Sequence, residues 1–384
     1  EDLARRRAQL VSVPLTLDIY EWYQQMLRSH TVAFDPARES WLVFGYEEVQ
    51  HVLLEHQTFS SQRDVNTDGQ VNPFLGIIGM DPPRHRHLRT LISQAFTPRV
   101  VAQLEPRITA IAHDLLDRVT ARGEMDLVDE LAFPLPVLVI AELLGVPRSD
   151  QELFRAWSTE VVEPDIARRT AALQKMAHYF RELITQRRQE PREDLVSTLL
   201  RAEVDGEHLP EEELLGNCSL LLIAGHETTV GLISNALVCL DEYPESLQEL
   251  IAHPELLPSA IEEVLRYRGP VHFISRVALV DTVLAGEQIK AGDLVLPLFA
   301  AANLDERQFP HAETFDIRRK PNRHLGFGHG IHFCLGAPLA RLEARIALQL
   351  LLERFPTIRR RRSVSLELRP SPFLYGLKHV AVEW

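Results

Sequence analysis

Cysteine is scarce in this chain: Cys218, Cys239 and Cys334 are the three among 384 residues. That is too few for a disulfide framework, so a reducing cytoplasm is the expected location. It also disfavours zinc and iron–sulfur sites, which draw on several cysteines. Basic residues are outnumbered, 41 against 54 acidic, for a formal net charge of −13. A nucleic-acid binder normally shows a basic face, so that class is set aside. No uninterrupted run of 18 apolar residues occurs, and no membrane anchor is expected. Residues 1–10 are charged and lack the apolar core of a signal peptide. Repeats, low-complexity stretches and linkers are also missing, which points to one domain over 1–384; a monomer is expected.

Apolar residues make up 45% of the chain, ample for a large core. The pattern is mainly helical. Helices are expected over 19–30, 47–55, 82–95, 99–120, 127–144, 151–162, 167–189, 211–243, 246–252, 259–268 and 335–354. A strand pair is expected at 31–34 and 41–44. Short strands are expected within 271–298, where apolar and polar residues alternate, and again over 363–384. The stretch 60–80 has no clear period and reads as a long loop, a type that tends to be functional.

The densest signal is Phe327-Gly-His-Gly-Ile-His-Phe-Cys334-Leu-Gly336. Gly328 and Gly330 permit a tight turn. Such a turn can aim amide N–H groups at the sulfur, and the N-terminus of the following helix adds positive potential. A lone cysteine favoured as thiolate points to an iron porphyrin with one axial sulfur. The segment resembles the haem-ligand loop of the cytochrome P450 family, Phe-x-x-Gly-x-x-x-Cys-x-Gly, with Phe327, Gly330, Cys334 and Gly336 in register.

Three further motifs carry the same resemblance. The long helix holds Ala224-Gly-His226-Glu227-Thr228-Thr229 between apolar flanks. Burying an acid and two hydroxyls is costly unless they are satisfied, and Gly225 with a back-bonded threonine can distort the helix into a polar niche. The resemblance implies that Thr228 donates a hydrogen bond to the dioxygen being reduced and that Glu227 relays protons. His226 is expected to be a packing or solvent residue, since Val230 stands where a zinc-protease helix needs its second histidine. Glu263-Val-Leu-Arg266 places acid and guanidinium on one helical face. The resemblance implies a structural tie from this pair to the segment before the cysteine, with Arg318 as its expected partner. Leu304 stands where that segment usually carries arginine. His85 and Arg89 lie four apart on one helical face, a geometry that can hold an anion. With Arg276 and His332 they match the family's haem-propionate contacts.

The implied fold is the family's helical prism with small sheets. Haem b would lie between the long helix and the cysteine-side helix, in contact with Phe327, Gly328, Gly336 and Ala224. The implied activity is insertion of one oxygen atom from O2 into a hydrophobic small molecule, by hydroxylation or epoxidation. Electrons would come from NAD(P)H through a ferredoxin-type donor and its reductase. Substrate-facing candidates are Phe74, Leu75, Ile77, Ile78, Leu221, Val271, His272, Phe273, Ile274, Phe373 and Leu374. Most are apolar, which favours an apolar substrate. A cluster of Arg318, Arg319, Lys320, Arg323, Arg341 and Arg345 near the cysteine loop reads as a docking patch for an acidic partner. Two other classes share the thiolate signature. A peroxide-driven peroxygenase typically lacks the acid–alcohol pair, and a haem sensor usually carries an output domain.

Overall fold

The computed structural model describes residues 16–62, 73–162, 165–204, 207–369, 371 and 373–384. Its axis is one unbroken helix, Glu211–Glu242, about 48 Å long at 1.5 Å per residue. Gly225 and the back-bonded threonines do not interrupt it. Three glutamates in its first turn complement the helix dipole. By length and mean hydropathy, 1.3 over an 18-residue window, this helix could cross a membrane, but 67% of that window is buried inside the protein. It is a core helix, and its apolar character follows from neighbours on every side.

Around it pack Pro134–Leu143, Ile166–Gln189, Leu257–Tyr267 and the cysteine-side helix Ala337–Arg354. The main core joins these helices through residues such as Leu222, Ile233, Leu237, Ile261, Ala344 and Leu348. Two expected helices are divided. Residues 99–120 form Pro98–Gln103 and Glu105–Asp117, each with proline in its first turn, where the missing N–H is harmless. Residues 127–144 form a π-helical turn, Val128–Ala132, then Pro134–Leu143. Proline cannot donate to the turn before it, so a break falls there. The stretch read as loop over 60–80 ends in a 3₁₀ segment, Pro73–Gly79, packed on the central helix.

A five-stranded sheet forms the second layer. Its order is Val32–Asp35, Ser40–Val43, Leu294–Pro297, Arg276–Ala278, Phe59–Ser60. Trp41 pairs with Phe34 on one side and Val295 on the other, and Val295 pairs with Arg276. That register carries Arg276 into the buried interior, beside the strand that leads to Ser61. A three-stranded sheet joins Arg359–Arg360, Ala381–Glu383 and Glu124–Asp126.

Candidate active site

The cysteine loop is shaped by its glycines. Gly328 and Gly330 have φ of +71° and +69°, and a Cβ on Gly330 would lie 2.8 Å from the Leu53 carbonyl. Only glycine adopts that backbone at so little cost. The Cys334 amide donates to the Phe327 carbonyl at 2.8 Å, and Pro338 opens the helix Ala337–Arg354. The sulfur receives the amides of Gly336 and Ala337. Burial pushes the Cys334 thiol up, against the pull of those amides and the charges of Arg89 and Arg341. Donors therefore converge on a sulfur that burial keeps protonated, the setting in which a bound cation is needed to hold the thiolate. Arg341 stacks over Phe327 at 4.5 Å, and a side chain at Gly336 would meet nothing within 4 Å.

His85, Arg89, Arg276 and His332, grouped by the resemblance, lie together. The His85 and His332 rings lie 4.2 Å apart. His85 is pushed down to about 4 by burial and then by Arg89, and His332 to about 2 by burial, Arg276, His85 and Arg89. His332 Nε2 sits 2.9 Å from Ser61 Oγ, whose residue sequence reasoning missed. The anion of this group is Asp81, already engaged by Ser60 Oγ at 2.5 Å and Ser61 N–H at 3.1 Å. His85 Nε2 is buried with no hydrogen-bond partner among the described residues. The two histidines are therefore neutral near pH 7, and the cations of the group are Arg89 and the buried Arg276, which want anions. Arg89 links this cluster to the cysteine, donating to the Phe333 carbonyl at 2.5 Å. An iron porphyrin with carboxylate side chains fits both halves.

On the central helix, Leu221, Ala224, Gly225, Glu227 and Thr228 stay half-buried, whereas residues 229–240 are fully buried. Thr228 Oγ1 donates to the Ala224 carbonyl at 2.8 Å, and Thr229 Oγ1 to Gly225 at 3.1 Å. The Thr228 proton is thus committed within the helix, leaving its lone pairs outward as acceptors. Glu227 Oε1 takes Arg369 Nη1 at 3.0 Å and lies 3.2 Å from His226 Nε2. Burial would raise the Glu227 carboxyl, but the His226 hydrogen bond and charge, with the Arg369 charge, hold it below its ordinary value. Arg369 comes from a terminal segment with no local signal to announce it.

A second carboxyl, Glu343 of the cysteine-side helix, is buried against Thr229, and burial pushes it up to about 8. Because folding raises the Glu343 pKa from its ordinary 4.5 to about 8, the stability it contributes is complete below pH 4.5. That stability is lost as pH rises toward 8. Glu343→Gln carries no such loss. Thermal melts of the two proteins should diverge in favour of the variant as pH rises from 4.5 to 8, then run parallel. Curves parallel from pH 4.5 upward would contradict the assignment.

Glu263 and Arg266 are both 0% exposed and form a two-point pair at 2.7 and 2.8 Å. Arg266 also donates to the carbonyls of Asn303, Ala312 and Thr314. Glu263 accepts from Asp316 N–H at 2.9 Å, Asn322 Nδ2 at 3.0 Å and Arg319 Nε at 3.2 Å. Arg319, not Arg318, is therefore the arginine partner. The turn closed by Arg319 N–H on the Asp316 carbonyl buries Ile317 and brings Arg319 back over Glu263. Arg318 is left outward, on Glu249 at 2.5 Å. Leu304 is buried in apolar packing.

The substrate-facing candidates divide. The Phe74 and Leu75 side chains lie outside the described residues. Ile77 is core, its amide held by Asn217 Oδ1 at 3.2 Å. Ile78 and Phe373 are open at 37% and 45%, and Leu221, Val271, Ile274 and Leu374 are half-buried. Phe273 packs into the cluster around Tyr23 and Leu298. His272 is a correction. It is 4% exposed, with Nε2 3.2 Å from Tyr20 OH and Nδ1 3.0 Å from Tyr23 OH. Both ring nitrogens are occupied, and Tyr375 stacks on the ring at 5.1 Å, so no donor or acceptor remains for a substrate. The basic cluster is also less open than its sequence suggests. Arg318, Arg319, Arg341 and Arg345 pair with Glu249, Glu263, Glu262 and Glu105.

Comparison with known proteins agrees with this geometry. The family model for Cytochrome P450 matches residues 140–369. Cytochrome P450 109 of Bacillus spizizenii is 42% identical over 394 aligned positions, covering 100% of this chain and 94% of that protein. The cyclomarin C epoxidase CymV of Salinispora arenicola is 41% identical, covering 88% of this chain and 89% of its own. Among solved structures, CYP109E1 from Bacillus megaterium in complex with testosterone superposes with a TM-score of 0.89 at 42% identity, covering 95% of this chain and 98% of that one. With its cysteine loop, buried Glu263–Arg266 tie and helical architecture, the chain belongs to the cytochrome P450 family, the haem-iron oxidoreductases that act as monooxygenases.

Proposed function

We propose that this enzyme binds haem b and inserts one oxygen atom of O2 into an apolar small molecule. It does so by hydroxylation or epoxidation, with electrons from NAD(P)H delivered by a ferredoxin-type protein. The observation that carries this reading is the way Arg89 ties a cationic cluster to a sulfur ringed with donors. When bound, the haem supplies reductive activation of O2 at an iron that a thiolate makes electron-rich. Cys334 holds the metal, and His85, Arg89, Arg276 and His332 hold the propionates. The overall balance is substrate, O2, NAD(P)H and H⁺ giving oxygenated product, water and NAD(P)⁺. Two protons must reach the site. Glu227, half-buried and ionised beside Arg369, is placed to relay them, and Thr228, its own proton donated to the Ala224 carbonyl, offers lone pairs that orient the incoming proton donor. Leu221, Ala224, Val271, Ile274 and Leu374 supply apolar lining.

The test is an absorbance titration of the ferric protein against fatty acids, terpenoids, steroids and macrolides, then turnover under ¹⁸O2. Steroids come first, because the similar CYP109E1 was crystallised with testosterone. The expected result is a low-spin to high-spin shift with one class and one ¹⁸O atom in its product. The proposal fails if no class shifts the spectrum, or if the product's oxygen comes only from added peroxide.

A further inference from the structure

Arg341 lies one turn into the cysteine-side helix, just past the amides of Gly336 and Ala337 that the Cys334 sulfur receives. Its guanidinium sits over the Phe327 ring, 4.5 Å from the centroid. The face of an aromatic ring is its negative side and attracts a cation. The carbonyl of the same Phe327 accepts the Cys334 amide at 2.8 Å. Arginine is a flexible side chain that loses entropy when held, and this one is 37% exposed. Glu262, on the helix Leu257–Tyr267, supplies the hold. Its two oxygens take Arg341 Nε and Nη2, each at 2.7 Å, the two-point geometry that fixes a guanidinium plane. Glu262 is anchored in turn by the buried His324. His324 Nδ1 accepts the Gly326 amide at 3.1 Å, and Nε2 lies 3.0 Å from Glu262 Oε2. An amide N–H only donates, so the ring proton is on Nε2 and Glu262 accepts it. Against the upward push of burial, the Arg341 and His324 hydrogen bonds hold the Glu262 carboxyl at about 2.

We propose that Arg341 is the cation that tunes electron uptake at the Cys334 site, and that Glu262, backed by His324, is the positioning residue that locks it over Phe327. Reduction of the iron that Cys334 holds adds one negative charge beside the sulfur. A fixed cation nearby favours that more negative state. Arg345, one turn further from the loop, pairs with Glu105 at 2.6 Å and provides a matched comparison. The inference rests on the reading of Cys334 as the iron ligand.

The test is a redox titration of substrate-free holoprotein, read beside its reduced carbon monoxide spectrum. Arg341→Gln should lower the midpoint potential. Arg345→Gln removes the same charge from the next turn and should shift it less. Glu262→Gln sets two effects against each other. Loss of the anion alone would raise the potential. Loss of the grip lets Arg341 turn into water, where its charge is screened, and lowers it. The proposal requires a fall, with no further fall when Glu262→Gln is added to Arg341→Gln. Glu262→Asp keeps the charge but shortens the reach, so it should also lower the potential, and it serves if the glutamine variant folds poorly.

Equal shifts in Arg341→Gln and Arg345→Gln, or an unmoved potential in Arg341→Gln, overturn the tuning role. A rise in Glu262→Gln, or an unmoved potential in Glu262→Asp, overturns the lock. These failures leave the thiolate band of the unaltered protein in place. A band missing there would instead sink the reading of Cys334 and this inference with it.

Discussion

Replacing Arg266 with leucine is expected to destabilise the protein by about 3–5 kcal/mol, the usual cost of leaving one member of a buried ion pair behind. The residue is 0% exposed, and its five donated bonds reach two oxygens of Glu263 and three main-chain carbonyls. Removing it strips five bonds at once and leaves the buried Glu263 only Asp316, Asn322 and Arg319. Three of the lost bonds, at Asn303, Ala312 and Thr314, belong to the segment leading into the cysteine loop. Asn303 also fixes that loop's entry by accepting the Leu325 amide at 2.7 Å. The variant should therefore lose haem as well as stability. Denaturant unfolding and the haem-to-protein absorbance ratio check the two effects together. Arg318→Leu, which removes a surface pair with Glu249, should cost no more than about 1 kcal/mol. Equal losses in the two variants would refute the assignment of the tie.

The second large effect is expected from Thr228→Ala. The hydroxyl is back-bonded to Ala224, so its loss leaves the helix backbone intact and removes only the outward lone pairs. If these guide protons, the variant still consumes NAD(P)H and O2 but returns them as NAD(P)⁺ and H2O2. Product per reductant should then fall on the order of 10²-fold, the scale of one positioned acid–base group. Peroxide should account for the missing electrons. Thr229→Ala, on the buried side, is the control and should keep its coupling. Unchanged product yield in Thr228→Ala would remove Thr228 from the proton path.

Local spacing carried most of what could be read without the structure. The central helix, the cysteine-side helix and the hairpin at Phe34–Trp41 follow from periodicity, because near neighbours in sequence decide them. The Glu263–Arg266 pair was legible for the same reason, being one helical turn apart. What was not legible depends on distant chain. Arg319 rather than Arg318 reaches Glu263 because a turn closes there, and a one-residue error in such a turn exchanges inside for outside. Arg369 meets Glu227 across 142 positions of sequence. His272 is held by Tyr20 and Tyr23, some 250 residues away. Glu343 carries no local signal either: burial in the packed interior, opposed by the Thr229 hydrogen bond, is what pushes its carboxyl up to about 8.

The central claim is that Cys334 ligates the haem iron, and the absorbance of the reduced carbon monoxide complex tests it most directly. Unaltered protein should show the red-shifted Soret band that a thiolate ligand produces. Cys334→Ser should retain haem through His85, Arg89, Arg276 and His332 yet lose that band, while Cys218→Ser and Cys239→Ser, both buried in the core, should keep it. A band that survives in Cys334→Ser, or that is missing from the unaltered holoprotein, would contradict the account.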